Sequence, residues 1–112
     1  MKPVPGGTRA LWLFVMVLAW SRAIWAEFVT AAAAAWLAEN GAALVGIDSN
    51  NIDDTRQRSR PVHTILLGAR IPICEHMTGL GRLPDRGFRF SAVPPKVRGM
   101  GSFPVRAYAV LD

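Results

Sequence analysis

Thr30–Ile47, TAAAAAWLAENGAALVGI, is the stretch from which the fold class follows. Thr30 is a good helix N-cap, because its hydroxyl can accept a hydrogen bond from one of the orphan N–H groups of the first turn. The run that follows, AAAAAWLAE, has high helix propensity. Asn40-Gly41 supplies a C-terminal stop. Trp36 and Leu37 are expected to face the core, with Ala32 and Ala33 beneath them at the (i, i+4) spacing. ALVGI, Ala43–Ile47, then reads as a short buried strand. A helix that runs directly into a buried strand implies an α/β or α+β layer, not a bundle.

Beyond Ile47 the chain turns polar. DSNNIDDTRQRSR, Asp48–Arg60, is rich in turn formers. It leaves the C-terminal end of a strand, where α/β proteins tend to place their sites. Pro61 can open a helix at its first position, and VHTILLGA is expected to end near Gly68. RIPICE, Arg70–Glu75, reads as a strand, with Ile71, Ile73 and Glu75 on one face and Pro72, Cys74 and the following His76 on the other. HMTGLGRLPDRG is an irregular connection. FRFSAVPPKV and FPVRAYAVL read as two strands, from the alternations Phe88/Phe90/Ala92 and Val105/Ala107/Ala109.

Toward the N-terminus the character changes. Lys2 and Arg9 precede the apolar run Ala10–Trp20, ALWLFVMVLAW, and SRAIWA follows. That is the outline of a signal peptide. The run is too short to span a bilayer, which takes about 20 apolar residues. The alternative is that LFVMVL is a buried strand, or that this end is not the natural start. Residues 1–28 are therefore set apart as a signal-like or non-native segment, and residues 29–112 as the folded part. About 84 residues is near the size at which one core becomes marginal, so a partner or a missing part of the domain is expected.

The composition, 51% hydrophobic and 19% charged, fits a folded domain and excludes disorder. The net charge is +5. Arg56, Arg58, Arg60 and Arg70 raise the question of an anionic partner. No aromatic residues alternate with them and no nucleic-acid motif accompanies them, so they are read as a solvated loop, with no nucleic-acid partner. A single cysteine excludes an internal disulfide. Nucleophile elbow, P-loop, dinucleotide fingerprint and zinc ribbon are all absent.

The chemistry-bearing residues gather in PVHTILLGARIPICEHMT, Pro61–Thr78. His63 and Glu75 lie 12 positions apart. A helical turn carries the chain about 9 Å outward, and a returning strand covers roughly 16–18 Å, so the two ends can meet. An imidazole with a carboxylate suits zinc, manganese or iron(II). Two ligands are fewer than a metal site needs, and spacing alone equally fits two locally hydrogen-bonded residues. Glu75 is preferred over His76 because the isoleucines on its face would bury the carboxylate, which then requires a cationic partner. Asp48 and Asp53 are candidates for supporting the ligands or the substrate loop, or for shaping the loop as Asx residues. Cys74 reads as a small core residue.

From about Phe28 onward the chain resembles the C-terminal part of the metal-dependent cyclase family, which includes bacterial kynurenine formamidase and isatin-hydrolase-like enzymes. The matching pieces are AAAWLAENGAALVGIDSNNIDD, PVHTILLGARIPICEHMTGLGRLP and GFRFSAVPPKVRGMGSFPVRAYAV, in that order. The resemblance implies the C-terminal portion of a swivelling β/β/α domain, α/β (α+β) in class, with a mixed sheet and few helices. It implies His63 and Glu75 as ligands of a divalent metal, zinc or manganese, and places Asp48 and Asp53 in the family's IDSxxID loop. The activity implied is hydrolysis of an amide-type bond in a small molecule. N-formyl-L-kynurenine is the formamidase substrate, in tryptophan catabolism. The family's His-x-Gly-Thr-His-x-Asp-x-Pro-x-His motif, which carries the other ligands and a proton-transfer histidine, has no counterpart in this chain. The chain alone is therefore expected to have little or no hydrolase activity, and to need a missing N-terminal half or an oligomer partner. The alternatives are a non-catalytic remnant or interaction subunit, and a small exported or membrane-associated protein. The family resemblance favours the cytoplasm, and the N-terminal apolar segment is the argument for export.

Overall fold

A computed structural model of the chain describes residues 13–17 and 29–111. The described residues have mixed α/β content and divide into two compact units, one ending at Leu80 and the other beginning at Gly81.

The first unit is built as strand β1 (Leu13–Val17), helix α1 (Ala31–Glu39), strand β2 (Ala42–Ile47), helix α2 (Pro61–Gly68) and strand β3 (Ile73–Cys74). The three strands form a parallel sheet in the order β1-β2-β3. Val45 pairs with Val15 on one side and with Ile73 on the other. As the central strand, β2 is covered on both faces, which is why it reads as a continuous apolar run and not an alternating one. The helices pack against each other as well as on the sheet. Ala34, Leu37, Val45, Ile47, Ile52, Val62, Leu66 and Ile71 form one buried cluster.

Helix α1 forms where its caps place it. The Thr30 hydroxyl accepts from the Ala33 N–H at 3.2 Å. At the other end the Asn40 side chain donates to the Trp36 carbonyl, and Gly41 takes a left-handed φ of 75°. The buried face differs from the expected one. Ala34 and Leu37 are buried with Ala38 beside them, whereas Ala32 and Ala33 are exposed and Trp36 is 59% exposed. The buried stripe at i, i+3, i+4 is Ala34, Leu37 and Ala38, and Trp36 lies about 100° around the helix from Leu37.

Helix α2 begins at Pro61, as the sequence predicts. Its end is a Schellman motif, in which the Ile71 N–H donates to the Leu66 carbonyl and the Arg70 N–H to the Leu67 carbonyl, both at 2.9 Å. The left-handed residue of that motif is Arg70, with φ 62°, and not the nearby Gly68. This turn consumes Arg70 and Ile71, so β3 is shorter than the Arg70–Glu75 strand expected. His76, with φ 61°, closes it from the other side.

In the second unit, strands β4 (Phe88–Ala92) and β5 (Ala107–Leu111) form an antiparallel pair. Phe90 faces Ala109 and Ala92 faces Ala107, so the expected alternation occupies one side of the pair. Both strands are shorter than their sequence runs, since Pro94, Pro95 and Pro104 cannot donate to a ladder.

The proposed signal-like segment lies outside the described residues except at Leu13–Val17, which is strand β1. No helix among the described residues is long and apolar enough to cross a membrane. Leu66, fully buried in the cluster, and Trp36, largely exposed, give a direct check on the helix faces. Leu66→Ala is expected to cost about 3 kcal/mol in urea unfolding, whereas Trp36→Ala is expected to cost well under about 1 kcal/mol.

Candidate functional site

The site forms where β2 and β3 end, because parallel strands deliver both of their following segments to the same edge of the sheet. The loop after β2 is shaped by its own polar side chains. The Ser49 hydroxyl donates to the Asn51 carbonyl and accepts from the Asn51 N–H, and the Asn51 side-chain oxygen accepts from the Asp53 N–H at 2.9 Å. These Asx and serine turns bend the chain without a regular ladder. Ile52 anchors the bend in the core, and its carbonyl accepts from the Val29 N–H at 2.8 Å.

That anchoring carries Asp53 inward. Asp53 is only 3% exposed, and it is the one charged residue buried in the described part of the chain. Its carboxylate accepts from the Val62 N–H at 2.8 Å, the His63 N–H at 2.9 Å and the His63 ring Nδ1 at 2.6 Å. Two of these donors belong to the first turn of α2. Arg60, in the N-cap position, makes no capping bond with its side chain, so a residue seven positions upstream caps the helix instead. The negative charge also sits at the positive end of the helix dipole. Burial raises the Asp53 pKa, but the His63 N–H, the His63 ring and the Val62 N–H outweigh it, and the carboxyl ends below its ordinary value.

The partners of His63 determine its tautomer. A carboxylate only accepts, so Nδ1 carries the proton toward Asp53. The Arg60 guanidinium lies 3.0 Å from Nε2 and 3.5 Å from Nδ1, so it stacks over the ring face and does not take the in-plane side of Nε2. Glu75 also approaches this nitrogen, with Oε2 at 3.6 Å from Nε2. Oε2 is held in place by the Ile52 N–H at 2.6 Å. The result is a chain of contacts from Asp53 through His63 to Glu75, with His63 at 15% and Glu75 at 25% side-chain exposure.

A divalent metal fits the last gap of this chain. Bonds of about 2.0–2.2 Å to nitrogen and oxygen can bridge donors somewhat more than 4 Å apart at most, and 3.6 Å lies within that reach. With Nδ1 donating to a carboxylate, the usual support of a ligating histidine, Nε2 is the ring nitrogen left for a ligand. Among the described residues, no group of three or more His, Cys, Asp and Glu side chains is arranged to hold an ion by itself. His63 and Glu75 are the candidate pair of donors that the structure brings together.

Of the two supporting aspartates predicted, Asp53 is the one seen to orient His63. Asp48 is half-buried directly after β2. His76 is turned away from Glu75, as expected, but the reason differs from strand alternation. The strand has already ended, and the left-handed turn at His76 swings its ring to donate to the Asn50 carbonyl at 2.8 Å. Glu75 is less buried than the isoleucine face implied, because β3 stops one residue before it. Cys74 is half-buried, and burial followed by the Glu75 charge pushes its thiol pKa up. Arg56, Arg58, Arg60 and Arg70 are all exposed, with Arg56 paired to Asp54 at 2.7 Å. Sequence reasoning missed the part played by Arg60 and the link from Ile52 to Glu75. One local signal pointed to a remote cap: a helix opened by Pro61 with an arginine where Ser, Thr, Asp or Asn would stand.

Compared with known proteins, the chain matches no family model and no curated protein.

Asp53→Ala is expected to lower stability by about 2 kcal/mol near neutral pH, because it strands two helix N–H groups and the ring proton. The folded pKa is depressed, so this contribution is complete above the unfolded value of about 3.9. It is lost as pH falls through the lower folded value. Urea unfolding of both proteins should therefore converge at acid pH, and a gap that stays constant would contradict the assignment.

Proposed function

We propose that this chain carries part of the metal centre of a cyclase-family hydrolase acting on an amide-type bond, with N-formylkynurenine as the type substrate. The observation that supports this reading is the Asp53–His63–Glu75 contact chain, which leaves an imidazole lone pair and a carboxylate oxygen 3.6 Å apart. His63 binds the metal through Nε2, and Glu75 adds a negative oxygen ligand. Asp53 holds the ring in the required tautomer and orientation. The Ile52 N–H aims the Glu75 carboxylate. When bound, the metal supplies Lewis acidity, lowering the pKa of a bound water and polarising the amide carbonyl.

Two protein ligands hold a catalytic metal poorly, and three are usual. The reading therefore includes further ligands, supplied by another segment or another chain bearing the family's His-x-Gly-Thr-His-x-Asp motif. Zinc or manganese titration by calorimetry tests the half-site. Weak stoichiometric binding is expected, abolished by His63→Ala and by Glu75→Ala. Hydrolysis of N-formylkynurenine is expected to be negligible with the 112-residue chain alone and to appear when a polypeptide carrying the motif is added. Absence of metal binding that depends on His63 would leave the non-catalytic reading in its place.

A further inference from the structure

No residue from Gly81 to Leu111 is buried, so the second unit has no core of its own. Its sheet is the two-stranded β4–β5 pair, and among the described residues neither strand pairs with a third. A two-stranded ribbon is marginal in water and needs a further strand or a packed partner. The two free edges are not equivalent. Strand β4 carries Arg89 and runs on into Pro94-Pro95, a charge and two residues without an N–H, which blunt an edge. Strand β5, AYAVL, holds no charge, proline or glycine, and its Tyr108, Val110 and Leu111 are exposed. It is an unprotected edge of high strand propensity.

Strand β5 is also complementary to itself. A two-fold axis at Ala109 sets it against an antiparallel copy with Ala109 opposite Ala109, Tyr108 opposite Val110 and Ala107 opposite Leu111. Two aromatic–β-branched pairs result, both on one side of the ribbon. Carried one position past each end, the same register sets Arg106 opposite Asp112 twice. Turning β4 about Phe90 in the same way sets Arg86 opposite Pro94, with no charge match. A parallel in-register pairing of β5 would set Arg106 beside Arg106. We propose that β5 is a self-association edge, whose partner is a second copy of this chain paired antiparallel about Ala109. The four strands then form one continuous sheet, and the outward N–H and C=O groups of both β5 strands are satisfied. The interface uses the same patch on both copies and closes at two chains. No metal takes part in it.

Equilibrium sedimentation of the 112-residue chain is expected to show a monomer–dimer equilibrium. Arg106→Asp, and separately Asp112→Arg, set like charges opposite each other at both ends of the interface. Each is expected to weaken dimerisation about tenfold, and the double swap is expected to restore it to within about twofold. Crosslinking reads the register directly. In a Cys74→Ser background, Ala109→Cys is expected to form a covalent dimer under mild oxidation. Directly opposed Cα atoms of an antiparallel pair lie about 4.5–5.5 Å apart, within disulfide reach. Ser102→Cys in the same background, exposed but outside β5, is expected to stay unlinked. A chain that is monomeric at every concentration overturns the proposal. So does a dimer that the double swap fails to restore, or one in which Ala109→Cys does not crosslink. A monomer that instead associates with an added polypeptide carrying the His-x-Gly-Thr-His-x-Asp motif overturns it in favour of a different occupant of the edge.

Discussion

The Asp53 carboxylate is the interaction on which the site depends. It is buried, it is charged, and it satisfies three donors that would otherwise be orphaned. A buried carboxylate without such partners would be costly. A helix start without a cap would leave its first N–H groups unsatisfied. Each problem resolves the other, and the by-product is a histidine held at the first turn of α2 in one tautomer. The same carboxylate therefore closes a loop, starts a helix and orients a histidine.

The parallel sheet supplies the other half of the geometry. Strands β2 and β3 run the same way, so the loop carrying Ile52 and Asp53 and the residue following β3 emerge at one edge. The Ile52 side chain is anchored in the core and its N–H holds Glu75. The site is thus tied to the hydrophobic cluster through one residue, with the side chain on the apolar side and the backbone on the polar side. Short elements make this possible. The Schellman turn at Arg70 and the left-handed turn at His76 clip β3 to two residues, so Glu75 sits free of the ladder and can turn toward His63.

Local chemistry made much of the first unit legible in the sequence. Thr30, the alanine run and Asn40-Gly41 define α1 by propensity and capping, and Pro61 marks the start of α2. The apolar run after Gly41 identifies a central strand. Which side of α1 is buried was not legible, because a row of alanines offers no strong moment and the large Trp36 drew the assignment to the wrong face. The short β3 was not legible either, since two arginine and histidine positions adopt left-handed conformations that sequence assigns to glycine or asparagine.

By itself, the sequence determined the element types, the mixed α/β class and the candidates His63, Glu75, Asp48 and Asp53. These follow from local propensity, hydrophobic patterning and side-chain chemistry, each read within a few residues. Only the tertiary structure decided which candidates meet. Asp53 reaches His63 and Ile52 reaches Glu75 across separations of 10 and 23 residues. Contacts over that distance depend on where the sheet edge and the loop anchor place the chain, and no local pattern encodes them. The approach of Arg60 to the His63 ring spans only three positions, yet it rests on a left-handed backbone that arginine adopts only when its surroundings impose it.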